Sequence, residues 1–284
     1  MIMKTQLRLF LLVFLLAFST NAFSQDPNFH IYLCFGQSNM ESGGRMDEQD
    51  KTVDKRFQVL ADFDSTNRGW TKGRWYQAVP PLAAKGRGIC MVDYFGRTLA
   101  AGLPEKIRVG VVKVAVPGCK IELFEKLTYT NYAATAAPWM KNMIKAYDGN
   151  PYQFLVDQAR IAQKDGVIKG ILLHQGESNP GDKEWPNKVK GIYENLVKDL
   201  NLKPEEVALL AGETVHADQQ GTCAGFNQII ADLPKTLPNS YVISSAGCTS
   251  NDRLHFNSEG SREFGKRYGE RMLSVLGQKT PKAN

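Results

Sequence analysis

Short apolar runs alternate along this chain with longer stretches of helical periodicity, and this alternation restricts the fold class. The apolar runs predict five strands, which are His30 to Phe35, Arg108 to Val116, Val167 to His174, Val207 to Ala211 and Tyr241 to Ser245. The other stretches predict five helices, which are Val92 to Leu103, Tyr152 to Gln163, Asn187 to Leu200, Ala224 to Leu233 and Glu259 to Leu276. Because parallel neighbouring strands need crossover connections, this order predicts a mostly parallel sheet with helices on both faces.

The N-terminal segment has the pattern of an export signal. Lys4 and Arg8 precede the apolar run Leu9 to Phe18, and small residues follow at Ala22 to Ser24. The apolar run is shorter than the roughly 20 residues of a membrane span. We therefore expect residues 1–24 to be a signal peptide, the protein to be periplasmic or secreted, and no stable membrane insertion after cleavage. Residues 25–284 are expected to form a single domain.

The charge pattern does not indicate a nucleic-acid partner. The net charge is +6, but Lys and Arg are interspersed with Asp and Glu along most of the chain. Nucleic-acid binding is signalled by a concentration of positive charge rather than by such a mixture. We expect a mildly basic surface and no nucleic acid among the partners.

Five cysteines are an odd number for a chain that is expected to be exported, so at most two disulfide bridges are possible. Cys34 lies in a strand-like run and Cys119 follows a glycine in a turn, and we expect both to be small buried apolar residues. A bridge between Cys223 and Cys248 is compatible with the sequence, which does not decide whether it forms.

The stretch from Asp47 to Arg87 has no clear periodicity and predicts a long ordered loop or a small insertion. Its aromatic residues Trp70, Trp75 and Tyr76 admit two interpretations. They form a surface that receives a sugar ring, or they cap the apolar core.

Two candidate site residues follow the first two long predicted strands. Ligands of open parallel sheets bind beyond the carboxyl ends of the strands, so these segments are the candidates for a site. Ser38 follows the first strand and is either a nucleophile or the N-cap of the next helix. Gly118 follows the second strand, where it either makes a turn or places a backbone N–H against a reacting oxygen.

Two further polar segments complete the set. His174 to Asn179 follows the third strand, and such a density of polar groups at a strand end is costly to bury without a hydrogen-bond network. Near the C-terminus Asp252 precedes His255 by three residues, a spacing at which the carboxylate reaches the imidazole and fixes its tautomer. The free ring nitrogen of His255 would then face a nucleophile.

Other assignments of these residues are weaker. His174 is a second candidate base, but it has no carboxylate at the spacing of Asp252 and His255, and we expect it to be structural. His174, Glu177 and His216 do not have the spacing of a recognised metal site, so no metal is expected. A thiol hydrolase that uses Cys119 is disfavoured because Cys119 follows the glycine that would serve the reacting oxygen.

Together the four segments resemble the SGNH-hydrolase superfamily, in particular the branch of sialate O-acetylesterases and the acetylxylan esterases of carbohydrate esterase family six. Gly36 to Met40 resembles the nucleophile block, and Val116 to Gly118 resembles the block that supplies the glycine. His174 to Glu177 matches the third block and Asp252 to His255 matches the last. The blocks occur in the family's order and span essentially all of residues 25–284.

The resemblance implies a flavodoxin-like three-layer α/β/α fold and a serine esterase that needs no cofactor. Ser38 would attack the ester carbonyl, His255 would take and return the proton, and Asp252 would orient His255. The backbone N–H groups of Ser38 and Gly118, with the side-chain amide of Gln175, would bind the oxyanion.

Three more residues of these blocks, Gln37, Asn39 and Glu177, are expected to support the site. Many members of the superfamily carry an asparagine where this chain has Gln175. The longer glutamine side chain must therefore be held by neighbours, for which Glu177 and Asn179 are the candidates.

The expected function is removal of O-acetyl groups from a carbohydrate, such as acetylated xylan or a related glycan. A sialate O-acetylesterase is the alternative substrate class, and a non-catalytic carbohydrate-binding protein is the alternative of another class. A lipid esterase is disfavoured because no lid-like apolar stretch is evident. An acidic sugar would favour cations in the pocket, and the candidates are Arg45, Arg68, Arg74 and Lys120.

Overall fold

A mixed sheet of seven strands forms the centre of the described part of the chain. The computed structural model describes residues 25–83 and 86–279, so the expected signal peptide lies outside the described residues. The strands are β1 Asp26–Gly36, β2 Phe57–Leu60, β3 Trp75–Gln77, β4 Arg108–Ala115, β5 Gly166–His174, β6 Ala208–Gly212 and β7 Ser240–Ile243. Their order is β3-β2-β4-β1-β5-β6-β7, and all neighbours are parallel except β2 and β3.

Helices connect the strands and cover both faces of the sheet. They are α1 Ser38–Glu41, α2 Glu48–Lys51, α3 Met91–Gly102, α4 Tyr129–Thr135, α5 Pro138–Ala146, α6 Pro151–Ala162, α7 Trp185–Asp199, α8 Asn227–Ala231, α9 Leu233–Thr236 and α10 Ser258–Val275. The mostly parallel α/β architecture expected from the sequence is confirmed.

The side chains of β1 alternate between two apolar clusters, one on each face of the sheet. Ile31, Leu33 and Phe35 pack in a cluster with residues of α6 and α7, whereas Tyr32 and Cys34 pack in a cluster with residues of α3 and α10. All five side chains are completely buried. A strand buried on both faces is typical of the centre of a parallel sheet between two helical layers, and the three-layer expectation is confirmed.

Two differences from the sequence-based expectation have a clear physical reason. β2 and β3 lie inside the stretch from Asp47 to Arg87, which was expected to be a long ordered loop or a small insertion, and they are too short to give a periodic signal. The expected helix from Ala224 to Leu233 is a 3-10 turn followed by the separate short helices α8 and α9. Pro234 lies in the first turn of α9, where a residue without an N–H is tolerated. The same residue cannot donate the hydrogen bond that would continue a preceding helix.

The aromatic residues of the β2–β3 region pack against the protein. Trp70 is only 6% exposed and its ring stacks on Tyr76 at 5.5 Å between centroids. Trp75 packs edge-on against Phe29 at 4.7 Å and donates from Nε1 to Asp165 at 2.9 Å. The interpretation that these aromatics cap the core is therefore the one that the structure supports.

The cysteines are free thiols throughout the described residues, and Cys223 and Cys248 form no bridge with each other. Cys34 and Cys119 are buried, as expected. No helix in residues 25–83 and 86–279 combines the length and the apolar character that crossing a membrane requires.

Candidate active site

The candidate site lies at the carboxyl ends of the adjacent strands β4, β1 and β5. β1 ends at Gly36, whose φ is +156°, and a Cβ there would lie 2.0 Å from the carbonyl oxygen of His174. Only glycine permits this approach of the two strands. The N–H of Gln37 donates to the same carbonyl at 3.1 Å, so the chain is held as it leaves the sheet. Ser38 is therefore placed directly beyond the central strand.

Ser38, His255 and Asp252 form a continuous chain of hydrogen-bond contacts. The Oγ of Ser38 lies 3.1 Å from Nε2 of His255, and Nδ1 of His255 lies 2.8 Å from Oδ2 of Asp252. Ser38 is the first residue of α1 and Gln37 is the N-cap, so Ser38 does not cap the helix. Its hydroxyl instead contacts an imidazole whose other nitrogen is occupied by a carboxylate.

The loop before α10 holds the Asp252 carboxylate in place. Oδ1 of Asp252 accepts the backbone N–H groups of Leu254 at 3.0 Å and His255 at 2.7 Å. Partial burial raises the pKa of Asp252, but the hydrogen bonds from the His255 side chain and from these two backbone groups outweigh it, and the net pKa is lowered. The hydrogen bonds thus favour the charged form of Asp252, and so does solvent, since the side chain is 56% exposed.

Asn39 joins the nucleophile segment to the histidine loop. Its Nδ2 donates to the carbonyl of Leu254 at 3.0 Å and to Oε1 of Glu177 at 2.8 Å, and its Oδ1 accepts the N–H of Phe256 at 3.1 Å. These contacts fix the backbone on both sides of His255. Asn39 is only 2% exposed, so water does not compete for its bonds.

Two backbone N–H groups beside Ser38 are free to bind an anion. Neither the N–H of Ser38 nor that of Gly118 donates to a protein acceptor within the described residues. Gly118 has a φ of +72°, a left-handed conformation that favours glycine. A reacting carbonyl oxygen near both groups would receive two hydrogen bonds that the protein leaves unused.

Gln175 lies in a buried network behind the Gly118 turn. Its Nε2 has three acceptors, which are Asn179 Oδ1 at 2.7 Å and, both at 3.2 Å, Gln37 Oε1 and the carbonyl of Cys119. Its Oε1 accepts from Trp185 Nε1 at 2.6 Å. Two amide hydrogens thus already serve three acceptors, and donation to an oxyanion would require Gln175 to release one. Asn179 holds this side chain, as considered from the sequence.

Other residues singled out in the sequence lie away from the reacting hydroxyl. His174 is fully buried, with Nε2 3.0 Å from the carbonyl of Glu213 and Nδ1 3.7 Å from Glu177. This position fits the expected structural role. Burial raises the pKa of Cys119, whose Sγ faces the carbonyl of Gly36 at 3.8 Å. His216 contacts Asp218 at 3.3 Å and not Ser38.

Two residues without a sequence motif lie close to the candidate site. Trp139 on α5 is 54% exposed, and its ring comes within 2.9 Å of the position that a Cβ on Gly118 would take. Glu41, three residues after Ser38 on α1, lines a cavity of about 330 Å³. Trp139 lies in a stretch with no readable motif, and Glu41 falls one residue beyond the nucleophile block, so neither could be identified from the sequence.

Solved structures share this fold at low sequence identity. A protein from Arabidopsis thaliana is 20% identical with a TM-score of 0.64, and the match covers 88% of this chain and 99% of that one. NanS is 17% identical with a TM-score of 0.62, over 89% of this chain and 99% of that one. XAC1771, a carbohydrate acetylesterase from Xanthomonas citri, is 16% identical with a TM-score of 0.58, and the match covers 86% of this chain and 56% of that one. These likenesses show the fold alone.

Family membership rests on a match along the sequence. Residues 28–274 match the SASA family, described as carbohydrate esterase, sialic acid-specific acetylesterase. The matched region runs from β1 to the last turn of α10 and so includes Ser38, Gly118, Asp252 and His255. The chain therefore belongs to this carbohydrate esterase family of sialic acid-specific acetylesterases and is a carboxylic ester hydrolase that acts on O-acetylated carbohydrate.

Proposed function

We propose that Ser38, His255 and Asp252 form the catalytic triad with which this esterase removes O-acetyl groups from a glycan. The observation that carries the proposal is the pair of contacts at 3.1 Å and 2.8 Å that links the three side chains. A serine hydroxyl is a weak nucleophile until a base accepts its proton, and an oriented carboxylate keeps the base in the required tautomer. The geometry meets both requirements.

The reaction proceeds in two steps. Oγ of Ser38 attacks the acetyl carbonyl carbon while Nε2 of His255 takes the hydroxyl proton, and the N–H groups of Ser38 and Gly118 bind the oxyanion. His255 then returns the proton to the leaving sugar oxygen, which leaves an acetyl group on Ser38. His255 then takes a proton from a water molecule that attacks this ester, and it returns the proton to Oγ of Ser38 as the acyl bond breaks and acetate leaves. Gln175 holds the Gly118 turn through the carbonyl of Cys119 at 3.2 Å.

An acetylated xylan or a related glycan is the substrate class that we propose, with O-acetylated sialic acid as the alternative. The family, and the carbohydrate acetylesterase activity of the Xanthomonas citri protein, support an acetylated sugar. A relation to the acetylxylan esterases of family six remains part of the proposal. A purely sugar-binding protein is disfavoured because Ser38, His255 and Asp252 make the contacts that a serine esterase needs and because Trp70, a proposed stacking residue, is buried.

Acetate release from acetylated xylan and from O-acetylated sialic acid, measured side by side with purified protein, tests the function. We expect release from at least one glycan, and the ratio of the two kcat/KM values identifies the substrate class. An aryl acetate serves as a reference ester that carries no sugar. Absence of acetate release from all three esters would contradict the proposal.

Replacing Asp252 with Asn should lower kcat by about 10²-fold, less than the roughly 10⁴-fold loss typical of a fully buried triad carboxylate, because Asp252 is partly exposed. The amide no longer supports the imidazolium that forms during attack. The chain offers a matched control in Asp218, an exposed carboxylate 3.3 Å from Nδ1 of His216. Asp218→Asn should leave kcat within about twofold of wild type. Equal effects of the two substitutions would remove Asp252 from the triad.

A further inference from the structure

A cavity of about 330 Å³ lies next to the two chain segments that carry Ser38 and Gly118. On the sheet side it is lined by Ala115, the last residue of β4, and by Pro117, which directly precedes Gly118. On the helix side it is lined by Met143 and Tyr147. Its volume falls within the range of roughly 300–1,000 Å³ that is common for small-molecule sites. Its position suits the part of a substrate that adjoins the ester.

Helix α5 connects this cavity to the oxyanion glycine. Trp139, Asn142 and Met143 are spaced at i, i+3 and i+4 and therefore share one face of the helix. Asn142 and Met143 line the cavity, while the Trp139 ring reaches Gly118. More than half of the Trp139 surface is exposed, which is unusual for so large an apolar side chain. An exposed indole beside a cavity gives a flat apolar surface on which the C–H face of a sugar ring packs.

Glu41 supplies the polar end of the cavity. Its carboxylate lines the cavity and accepts no hydrogen bond from any residue in the described part of the chain. Burial raises the pKa of Glu41, Lys113 opposes this shift, and the charge of Asp62 adds to it. A half-buried carboxylate without donors is satisfied by the hydroxyl groups of a bound sugar.

None of the four cationic residues considered from the sequence is among the described residues that line the cavity, although the charge of Arg68 acts on Asp62, which lines it. Among the described residues that line the cavity there is no Lys or Arg. The guanidinium of Arg68 lies 3.7 Å above the Trp70 ring and donates to the carbonyl of Val79 at 2.7 Å. Arg74 lies with Phe29 near the amino ends of the strands, away from Ser38. A carboxylate-bearing sugar would therefore meet Glu41 with no Lys or Arg among the described lining residues, because Lys113, whose charge acts on Glu41, is buried and does not line the cavity.

We infer that α5 and this cavity form the subsite for the sugar ring that carries the acetyl ester, and that Glu41 selects uncharged sugars over sugars with a carboxylate. This inference rests on the proposed function, since it names the substrate class of the same site. Trp139 packs against the ring, and Glu41 accepts hydroxyl hydrogen bonds from neutral sugars and repels acidic ones.

The contribution of Trp139 is measured as the ratio of kcat/KM for acetylated xylan to kcat/KM for an aryl acetate. Trp139→Ala should lower this ratio about 30-fold, the effect typical of losing a central aromatic contact. Trp139→Phe keeps an aromatic face and should restore most of the ratio. Leu127→Ala removes another highly exposed apolar side chain, one that does not line the cavity, and should not change the ratio.

The contribution of Glu41 is measured by comparing O-acetylated sialic acid with acetylated xylan. Wild type should prefer the neutral glycan, and Glu41→Gln should raise the relative kcat/KM for the acidic sugar about fivefold at low salt, with a smaller change at high salt. Glu194→Gln removes the same charge from a surface ion pair with Lys190 and should have no such effect.

Failure of this inference is distinguishable from failure of the proposed function. If wild type cleaves the aryl acetate and Ser38→Ala does not, but the Trp139→Ala ratio stays within twofold, the subsite inference is overturned and the triad stands. If wild type prefers O-acetylated sialic acid to acetylated xylan and Glu41→Gln leaves this preference unchanged, the inference that Glu41 selects neutral sugars is overturned. If no ester is cleaved, both proposals fall.

Discussion

Replacing Ser38 with Ala is expected to lower kcat for acetate release by at least about 10³-fold, because the enzyme then has no nucleophile and only the oxyanion groups and substrate binding remain. The fold should be unaffected, since the one hydrogen-bond contact of the Ser38 hydroxyl within the described residues is with Nε2 of His255 at 3.1 Å. The measurement is kcat for wild type and variant, together with the thermal unfolding midpoint of each. The midpoints should agree within about 2 °C.

A double variant tests whether Ser38 and His255 act as one unit. Groups that act together in one step give strongly non-additive losses, so Ser38→Ala combined with His255→Ala should be no slower than the slower single variant. Ser42→Ala is the matched control, because Ser42 lies one helical turn further along and its hydroxyl, among the described residues, accepts only a weak contact of 3.4 Å from the Arg87 N–H. Retention of more than a tenth of wild-type kcat in Ser38→Ala would exclude this serine as the nucleophile.

The position of the candidate site followed from the sequence because parallel strands bring distant segments to one edge. Ser38 and His255 are separated by more than 200 residues, yet each follows a predicted strand, and the carboxyl ends of such strands meet. The contact between Asp252 and His255 could be predicted for a different reason. It spans three residues, so local backbone geometry determines it.

The supporting contacts could not be predicted in this way. Whether Gln175 faces the oxyanion or the interior depends on Trp185 and Asn179, whose side chains reach it only in the packed fold. The closeness of Trp139 to Gly118 likewise depends on where α5 packs. Hydrophobic periodicity reports which face of an element is buried, and it does not report which side chains meet there.

Replacing Asn39 with Asp is the second substitution for which we expect a large effect. The change keeps the shape of the side chain but removes the donors to Leu254 and Glu177 and places two carboxylates about 2.8 Å apart. Both side chains are almost completely buried, so the repulsion is poorly screened. We expect the free energy of unfolding to fall by about 3–5 kcal/mol, the loss typical of breaking a buried charged contact.

The activity of Asn39→Asp should fall as well, because the bonds to Leu254 and Phe256 hold the backbone on both sides of His255. A small displacement of a catalytic group costs about 10²-fold in rate, so we expect kcat to fall by about this factor at a temperature where the variant is folded. The measurements are denaturant unfolding and kcat on an aryl acetate.

Two further variants separate the buried contact from a general effect of added charge. Asn187→Asp breaks a contact of the same kind, also 2.8 Å long, between Asn187 and Glu184 on the surface of α7. It should lower the free energy of unfolding by less than about 1 kcal/mol. Asn39→Asp combined with Glu177→Gln restores one hydrogen bond with its polarity reversed and removes the repulsion, so it should recover about 2 kcal/mol. It should recover less of kcat, because the carbonyl of Leu254 still lacks its donor. Full recovery of kcat would show that charge repulsion, and not the link from Asn39 to the histidine loop, governs catalysis.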